Sequence, residues 1–534
     1  MTLLVPEIWA ECYLSLVLLR ALIFGVFHIA AFFQERISIG FFRCTVFFLI
    51  LSIIGVLVLN LRRSSQSLGK SLGWGQRVYY LTELNLSLFW SQFGVQGDWI
   101  NISNPSENWI SVVKIGLWIS AIVCIIFLSI ESVIQSFSME LIFLIGLSVW
   151  SLCILLFVDN FLTVYLCLEI QALRSYVLTT GRQQTQSSLE AGFKYFFIGA
   201  LSSSIFLFGL AYLYQSIGIT ALDKLRIIFQ MFEISTLDVN SKILGGWILV
   251  ARLFFKLGVG PFHTWVPDVY EGAPRSITAF FSLSPKLAII VFFLRWFSTN
   301  GWLGILSPRY ISEYILLLCL SLITLMLGII GALGQRKLKR LLAYAGVAHL
   351  GYVLLGYQTN SIIGWRGLFL YITIYGVSRL RVFGRLINRI TRYKGKDAER
   401  PDLDDWTFSR ILGGWWLTVI IFAIFLLAGL PPFGGFIAKW MILNGVVETA
   451  FFWSLGFTLL LAALAAVYYL RVIYRWTWNA YRSGSYQIQQ WRLFYRLSVL
   501  KILLFLFMWN FSFFPQWRIA LSEQLISSYF VYRV

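Results

Sequence analysis

The sequence predicts an all-α membrane protein that crosses the bilayer about fourteen times, and three observations support this fold class. Of its 534 residues, 59% are hydrophobic and 13% are charged, whereas a soluble domain carries about 25% charged residues. Uncharged runs such as 47–59, 121–130 and 315–330 recur along almost the whole chain. The runs are continuous rather than alternating, which excludes a transmembrane barrel and leaves a helical bundle.

Each predicted span meets the requirement for about 20 mostly apolar residues. In chain order the spans lie near residues 8–33, 41–61, 110–130, 138–157, 160–180, 190–214, 243–265, 276–297, 311–332, 340–357, 362–383, 412–445, 449–473 and 497–516. Residues 62–109 are polar and rich in serine and asparagine, which indicates a loop. Residues 220–241 mix charged with apolar side chains, which is typical of an interfacial helix.

The net charge of +19 follows the loops rather than a nucleic-acid-binding surface. The basic connections after spans 1, 5, 9, 11 and 13 face one side of the membrane, as the positive-inside rule expects, and both termini face the other. The basic stretch 62–77 is the exception. We therefore expect lipid contacts at the basic loops and no nucleic acid. The N-terminus lacks the basic region that begins a cleavable signal peptide.

Cysteine and histidine spacing predicts no metal or redox site. The cysteines stand singly in apolar runs, at Cys12, Cys44, Cys124, Cys153, Cys167 and Cys319. None has a neighbour at metal-binding spacing, and the histidines lie far apart, so buried free thiols are the expectation.

Two spans are interrupted at comparable places. Span 7 contains glycine and proline at 258–261, and span 12 contains them at 429–435. Proline and glycine break helices, and backbone freed at membrane depth must line a cavity or be covered by protein. Broken spans five apart predict inverted repeats formed by spans 4–8 and 9–13. The predicted units are residues 1–137 (spans 1–3 and the polar loop), 138–300 and 301–475 (the repeats), and 476–534 (span 14 and the tail).

Ionisable residues in these spans predict the chemistry. The candidates are Glu169 in span 5, Lys194 at the start of span 6, Lys256 in span 7, Lys286 in span 8 and Lys439 in span 12. An ionisable group at the bilayer centre costs about 2.5–3.5 kcal/mol, so such groups usually face a wet interior and serve transport. A carboxylate that approaches or leaves a desolvated lysine controls its proton exchange. We predict a proton path in which Glu169 and Lys256 form one exchange unit.

Structural alternatives stay open for these candidates. Lys194 could form an (i, i+4) ion pair with Glu190 at a membrane surface, and Lys256 or Lys439 could extend to an interface. Glu169 has no partner on its own helix, and a purely structural role is its alternative.

Other polar residues carry weaker signals. His263 and His349 are each either members of the path or hydrogen-bonded packing residues. Asp268 and Glu271 are expected to shape a loop. The irregular basic series after span 11 is expected to face lipid headgroups rather than to sense voltage; it comprises Arg379, Arg381, Arg385, Arg389 and Arg392.

Several of these motifs resemble the antiporter-like membrane subunits of respiratory complex I. The strongest is Phe-Lys-Leu at 255–257 with Pro-Phe-His-Thr-Trp-Val-Pro-Asp-Val-Tyr-Glu-Gly-Ala-Pro at 261–274. Ser-Pro-Lys at 284–286, Glu-Ala-Gly-Phe-Lys-Tyr at 190–195, Lys-Leu-Lys-Arg at 337–340 and Gly-Leu-Pro-Pro at 429–432 also match. The Pro-Asp-Val-Tyr-Glu-Gly form favours the NADH dehydrogenase subunit 2 family over subunits 4 and 5.

The resemblance implies a mitochondrial inner-membrane subunit of NADH:ubiquinone oxidoreductase with fourteen helices, two inverted five-helix repeats and a polar axis. It implies proton translocation by the buried glutamate and lysines, driven by quinone reduction elsewhere in the complex. The NADH, FMN, iron–sulfur and ubiquinone sites would belong to other subunits, and the partners would include neighbouring antiporter-like subunits. A stand-alone cation/proton antiporter and a purely structural membrane subunit are the alternatives.

The chain departs from the family pattern at three places. Arg174 stands where neutral residues are usual, and Arg275 with Ser276 replaces the usual residues after Pro274. The arginine series after span 11 replaces a neutral continuation. The aromatic content of 18% suits an organelle-encoded gene.

Overall fold

The computed structural model describes residues 108–132, 140–181, 185–222, 224–225, 239–298, 311–359, 361–390, 414–431, 433–449 and 451–482. Within these ranges the chain is almost entirely helical and contains no β-strand. Predicted spans 1, 2 and 14, the polar loop as far as residue 107 and most of 220–241 lie outside the described residues.

The helices follow the continuous apolar runs of the sequence. In chain order they are α1 (Asn108–Ser132), α2 (Glu140–Leu155), α3 (Phe161–Thr179), α4 (Gln186–Ile217), α5 (Val239–Leu257), α6 (Trp265–Gly272), α7 (Arg275–Ser298), α8 (Ile311–Leu333), α9 (Leu338–Gln358), α10 (Ile362–Ile390), α11 (Gly414–Ala428), α12 (Gly434–Glu448) and α13 (Phe452–Arg482). Span 7, expected at 243–265, is α5 and continues beyond the break as α6 to Gly272, and span 12 consists of α11 and α12. In the described part, 6 helices are long and apolar enough to cross a membrane by themselves.

Both predicted breaks are present, and both begin in the same way. Helix α5 ends at Gly258 with φ of 78°, and α11 ends at Gly429 with φ of 70°. The amide of Gly258 donates to the carbonyl of Phe254 at 2.9 Å, and that of Gly429 to the carbonyl of Phe425 at 3.0 Å. Glycine adopts positive φ without the steric cost that other residues carry. The two interrupted spans thus have equivalent local structure.

Protein covers the central helices far more than the outer ones. In the apolar stretch of α7, 94% of the residues are buried, and in that of α9, 89% are buried. In α4 and α13 the corresponding share is 33% each. Helix α9 packs against α6, α8, α10 and α12. The exposed apolar side chains of α4 and α13, such as Phe197 and Leu460, suit contact with lipid. Polar groups on α7 and α9 are therefore held inside the protein.

Candidate functional site: a row of buried charges

Glu169 is paired with an arginine that sequence reasoning missed. Its carboxylate accepts a hydrogen bond from Nη2 of Arg252, on α5, at 2.5 Å. The Arg252 side chain is 1% exposed and that of Glu169 is 23% exposed. The guanidinium also lies over the rings of Tyr165 and Phe206, at 5.4 and 5.3 Å from their centroids. In this structure Arg252, rather than Lys256, binds the carboxylate of Glu169, and the exchange unit of Glu169 and Lys256 stays a prediction.

Lys256 follows Arg252 by one helical turn and lies in a second aromatic pocket. Its Nζ is 5.4 Å from the ring centroid of Tyr195 and 5.9 Å from that of Tyr176. The side chain is buried within the protein, so extension to an interface does not describe this lysine. It remains within electrostatic reach of both Arg252 and Glu169. A cation over aromatic faces is stabilised without a fixed counter-ion.

Lys286 is buried on α7, which continues through Pro285. Its Nζ lies 5.7 Å from the ring centroid of Tyr270 and has no hydrogen-bond partner within the described residues. The hydroxyl of Tyr270 donates to the carbonyl of Phe281 at 3.2 Å, which fixes the ring against α7. An ammonium without a partner at this depth is costly, and such groups usually mark a transport path.

Lys439 reaches back across the second break. Its Nζ donates to the carbonyl of Ala428, the last residue of α11, at 2.7 Å, and lies 5.0 Å from the ring centroid of Tyr352. The C-terminal end of a helix carries partial negative charge, which favours a cation there. The lysine is buried, and the break supplies its ligand. This is how broken helices bind ions in transporters.

His349 joins three helices through two hydroxyls. Its Nδ1 is 2.5 Å from the hydroxyl of Tyr371 on α10, and its Nε2 is 2.8 Å from the hydroxyl of Tyr469 on α13. The imidazole is buried on α9 and lies within electrostatic reach of Lys286 and Lys439. Since an imidazole can take a proton at one nitrogen and release one at the other, this residue has the geometry of a relay.

The buried groups form one row. Tyr195, which covers Lys256, stacks on Trp265 at 4.9 Å between ring centroids. Lys256 lies within electrostatic reach of Arg252 and Glu169, and His349 lies within reach of Lys286 and Lys439. The two groups meet through Tyr195, which covers Lys256, and Tyr270, which covers Lys286. Aromatic side chains line the row at each step. Hydrophobic residues pack around it in a single core.

Lys194 and His263 lie apart from this row. The side chain of Lys194 is 45% exposed and pairs with Glu190 at 2.5 Å and with Asp268 at 3.4 Å. Lys194 is therefore exposed, and the (i, i+4) pair that was its structural alternative is present. His263 is half-buried in the first break, with Nδ1 3.3 Å from the carbonyl of Pro261 and its ring against that of Tyr344.

Asp268 and Glu271 lie on helix α6 rather than in the loop that was expected. Glu271 accepts from Lys337 at 2.5 Å and pairs with Arg340 at 3.3 Å. Lys339 is buried and donates to the carbonyl of Ala273 at 2.8 Å. These contacts join α6 to the start of α9 and account for the basic cluster between spans 9 and 10, so part of that cluster binds protein rather than lipid headgroups.

The start of the arginine series also lies inside the protein. Arg379 and Arg381 are 1% and 6% exposed, because α10 continues to Ile390 and is covered by α1, α7 and α12. The expectation of a lipid-facing basic end is wrong for these two residues. Arg379 donates to the carbonyl of Leu342 and lies over the ring of Tyr375 at 4.9 Å. The side chains of Arg385 and Arg389, and residue Arg392, lie outside the described part.

The two other departures from the family pattern lie in different surroundings. Arg174 donates to the carbonyl of Leu147 on α2. Arg275, the first residue of α7, is fully buried.

Within the described residues, no cluster of histidine, cysteine, aspartate and glutamate could hold a metal ion.

The fold and the buried row define a multi-pass, antiporter-like membrane protein, and comparison with known proteins specifies the family. The profile described as NADH:quinone oxidoreductase/Mrp antiporter, TM, matches residues 158–465. The chain belongs to this family. Within it, the similar proteins are subunit N of NADH-quinone oxidoreductase, the equivalent of subunit 2, which confirms the resemblance seen in the motifs.

Two bacterial relatives illustrate the similarity. NADH-quinone oxidoreductase subunit N 1 of Rhizobium meliloti is 34% identical over 334 residues, covering 62% of this chain and 66% of its own. Subunit N of Laribacter hongkongensis is 32% identical over 367 residues, covering 68% of this chain and 72% of its own. The match to the Rhizobium meliloti protein therefore spans just under two thirds of that relative.

Solved structures share the fold over nearly the whole chain. A chain of respiratory complex I from Thermus thermophilus with bound aureothin superposes with a TM-score of 0.68 at 21% identity, covering 96% of this chain and 98% of that one. A chain of the archaeal membrane-bound sulfane sulfur reductase superposes with a TM-score of 0.72 at 17% identity, covering 97% of this chain and 96% of that one. A chain of the Mrp complex from Dietzia sp. superposes with a TM-score of 0.65 at 17% identity, covering 89% of this chain and 80% of that one. The predicted all-α antiporter-like membrane fold is confirmed.

Proposed function

We propose that this chain is a proton-translocating membrane subunit of a respiratory NADH:quinone oxidoreductase. The observation that carries the proposal is the row of buried ionisable groups from Glu169 to Lys439 inside a helical membrane protein. In this proposal the row moves protons, and quinone reduction in other subunits supplies the energy. NADH, FMN, iron–sulfur clusters and ubiquinone would be bound by those subunits rather than by this chain.

The path would use Glu169, Lys256, Lys286, His349 and Lys439. Lysines in aromatic pockets can take or release a proton without breaking a fixed ion pair, and water could bridge the polar steps between them. His263, which is half-buried at the first break and lies outside the row, would be a further member of the proton path. Lys194 would stay at the exposed pair with Glu190 and Asp268, outside the path.

The repeat architecture is part of the same proposal. We expect about fourteen helices in all, with inverted repeats formed by α2–α7 and α8–α13. Packing supports the repeat, because equivalent neighbours contact each other in both units. Helix α2 packs on α3 as α8 packs on α9, and α4 contacts both halves of the first broken span as α10 contacts both halves of the second.

The partners and membrane follow from the same assignment. The exposed apolar faces of α4 and α13 would contact lipid or adjacent antiporter-like subunits in the membrane arm. The mitochondrial inner membrane is our proposed location, supported by the high aromatic content expected of an organelle-encoded gene. The relatives named above are bacterial.

A substitution at Lys256 tests the function. In the assembled complex, Lys256→Gln should abolish most NADH-driven proton pumping while the complex still migrates intact on a native gel. Lys337→Gln is the matched control, since it removes a lysine that is 39% exposed and paired with Glu271 at the surface. Normal pumping by Lys256→Gln and Glu169→Gln would overturn the relay. A chain that never co-migrates with NADH dehydrogenase activity would favour a stand-alone antiporter, which the fold of the Mrp complex also allows.

A further inference from the structure

We propose that Arg252 is a positioning residue of the proton path, holding Glu169 away from Lys256 until a proton is to be transferred. This rests on the proposed function and deepens it at one step. The proposal adds a third member to the Glu169–Lys256 unit. It assigns to Arg252 the task of deciding which cation the carboxylate contacts.

The geometry at Glu169 supplies the first argument. Arg252 makes a single contact to the carboxylate, through Nη2 at 2.5 Å. Its Nε and Nη1 are buried and have no hydrogen-bond partner within the described residues. A bidentate pair would use two parallel hydrogen bonds and would hold the carboxylate more firmly. One hydrogen bond leaves the carboxylate fixed but still able to move.

The aromatic pockets supply the second argument. Tyr165 and Phe206 stack at 6.0 Å and cover Arg252, while Tyr176 and Tyr195 meet edge to face at 5.0 Å and cover Lys256. Helices α3 and α4 thus present two cation pockets in succession, and α5 places one cation in each.

Glu169 lies between the two pockets along α3. Tyr165 precedes it by one turn, and Tyr176 follows it by about two turns. The carboxylate can therefore turn from the guanidinium toward the ammonium while both cations keep their aromatic contacts.

Charge gives this arrangement a direction. Arg252 and Lys256 are (i, i+4) neighbours on α5, and like charges at that spacing repel each other. The negative charge of Glu169 reduces this repulsion whether the carboxylate binds Arg252 or Lys256. Arginine remains protonated throughout, whereas lysine can lose its proton, so only the Lys256 side of the unit changes charge. When Lys256 is protonated it attracts Glu169, and when it is neutral the carboxylate returns to Arg252.

The titratable groups around Arg252 limit what a test will report. Glu169 and Tyr165 face it from α3, and Tyr176 on the same helix lies within its electrostatic reach. Lys256 follows it on α5, and α4 contributes the apolar ring of Phe206. A change in the pH profile after substitution of Arg252 therefore reports on the glutamate, the lysine or one of the two tyrosines. An Arg252→Gln, Glu169→Gln double variant isolates the glutamate.

The experiment compares Arg252→Gln, Arg252→Lys and Arg295→Gln in the assembled complex. Arg295 pairs with Asp159 as another poorly exposed arginine–carboxylate pair, so its substitution controls for the loss of a structural ion pair. Proton pumping per NADH oxidised is measured across pH, and difference infrared spectra detect a protonated carboxyl. Arg252→Gln should displace the pH profile by about one unit or more and show a carboxyl band, because it removes the cation that favours the charged form of the partly covered carboxylate.

The expected pattern is specific. Arg252→Lys should restore the profile, Arg295→Gln should leave it unchanged, and the carboxyl band should vanish in the double variant with Glu169→Gln. An unchanged profile in Arg252→Gln, with Glu169→Gln still impaired, would overturn the positioning role alone. Full pumping in both Glu169→Gln and Lys256→Gln would overturn the relay itself. If Arg252→Gln fails to assemble, Arg252→Met carries the test, because this neutral side chain can still pack against Tyr165 and Phe206. Its profile should be displaced in the same way, and an unchanged profile would overturn the positioning role. A profile displaced equally by Arg295→Gln would show a structural role only.

Discussion

Gly429 closes α11, and the side chain of Lys439 occupies the space next to it. A Cβ added at Gly429 would lie 2.8 Å from Cδ and Cε of Lys439 and 2.9 Å from its Nζ. The Gly429→Ala substitution should therefore push the ammonium away from the carbonyl of Ala428. Gly218→Ala is a matched control, because Gly218 has φ of 74° and no atom within 4 Å of the added Cβ.

Both substitutions place a side chain at a positive φ, but only Gly429→Ala also disturbs a hydrogen bond of Lys439. A non-glycine residue in the left-handed region costs about 1–2 kcal/mol, and both variants carry that cost. Gly429→Ala also weakens a hydrogen bond to a charged group, worth about 1.5–3 kcal/mol. Since about 1.4 kcal/mol changes an equilibrium constant tenfold, the fraction of molecules in which Lys439 binds the carbonyl of Ala428 should fall by about 10- to 100-fold.

The assay is NADH-driven proton uptake by membrane vesicles, divided by the rate of NADH oxidation, with assembly followed on native gels. Both variants should assemble, and Gly429→Ala should pump markedly less than Gly218→Ala. Equal pumping would refute the idea that the Lys439–Ala428 contact belongs to the path. Equal failure of both variants to assemble would show that backbone strain, not the lysine, dominates.

Two further substitutions examine other parts of the row. Tyr469→Phe removes one hydroxyl from His349 and should cost about 0.5–1.5 kcal/mol of stability while lowering proton pumping. Tyr214→Phe, at a side chain that is 56% exposed on α4, should change neither. Wild-type pumping by Tyr469→Phe would remove that hydroxyl from the path. Lys194→Gln should leave thermal stability within about 0.5 kcal/mol of the wild type and leave pumping intact, whereas a loss of pumping would return Lys194 to the path.

The sequence predicted the spans well because lipid imposes a simple rule on them. Span 5, expected at 160–180, is the helix Phe161–Thr179, and the break expected after Lys256 begins at Gly258. Hydrophobic length and helix-breaking residues are local signals, so they can be read without knowing the packing.

Pairing between helices could not be predicted in this way. Arg252 lies 83 positions from Glu169, and Tyr469 lies 120 positions from His349. Helical periodicity gives the face of a residue but not its register against a distant helix. The available signal was the arginine one turn before Lys256 in an otherwise apolar run, which has no reason to be there unless it is paired.

The extent to which neighbouring helices cover the end of a span also could not be predicted. The position of Lys194 near the start of an apolar span left its exposure open, and in the structure it lies beside Asp268 and is 45% exposed. Arg379 was expected to face headgroups because it follows an apolar run, yet α10 continues and neighbouring helices cover it. Composition along one helix does not say whether its end is covered by protein.

The heavy covering of α9 bears on how the chain enters the membrane. Its mean hydropathy is 1.2, against 2.7 for α8, and it carries His349 as well as the basic residues at its start. Such a segment partitions weakly into lipid by itself. We expect α9 to insert together with α8 as a hairpin and to become stable only when α6 and α10 close around it. Lesions in those neighbours should then appear first as a biogenesis defect, with the subunit degraded before any loss of transport can be measured.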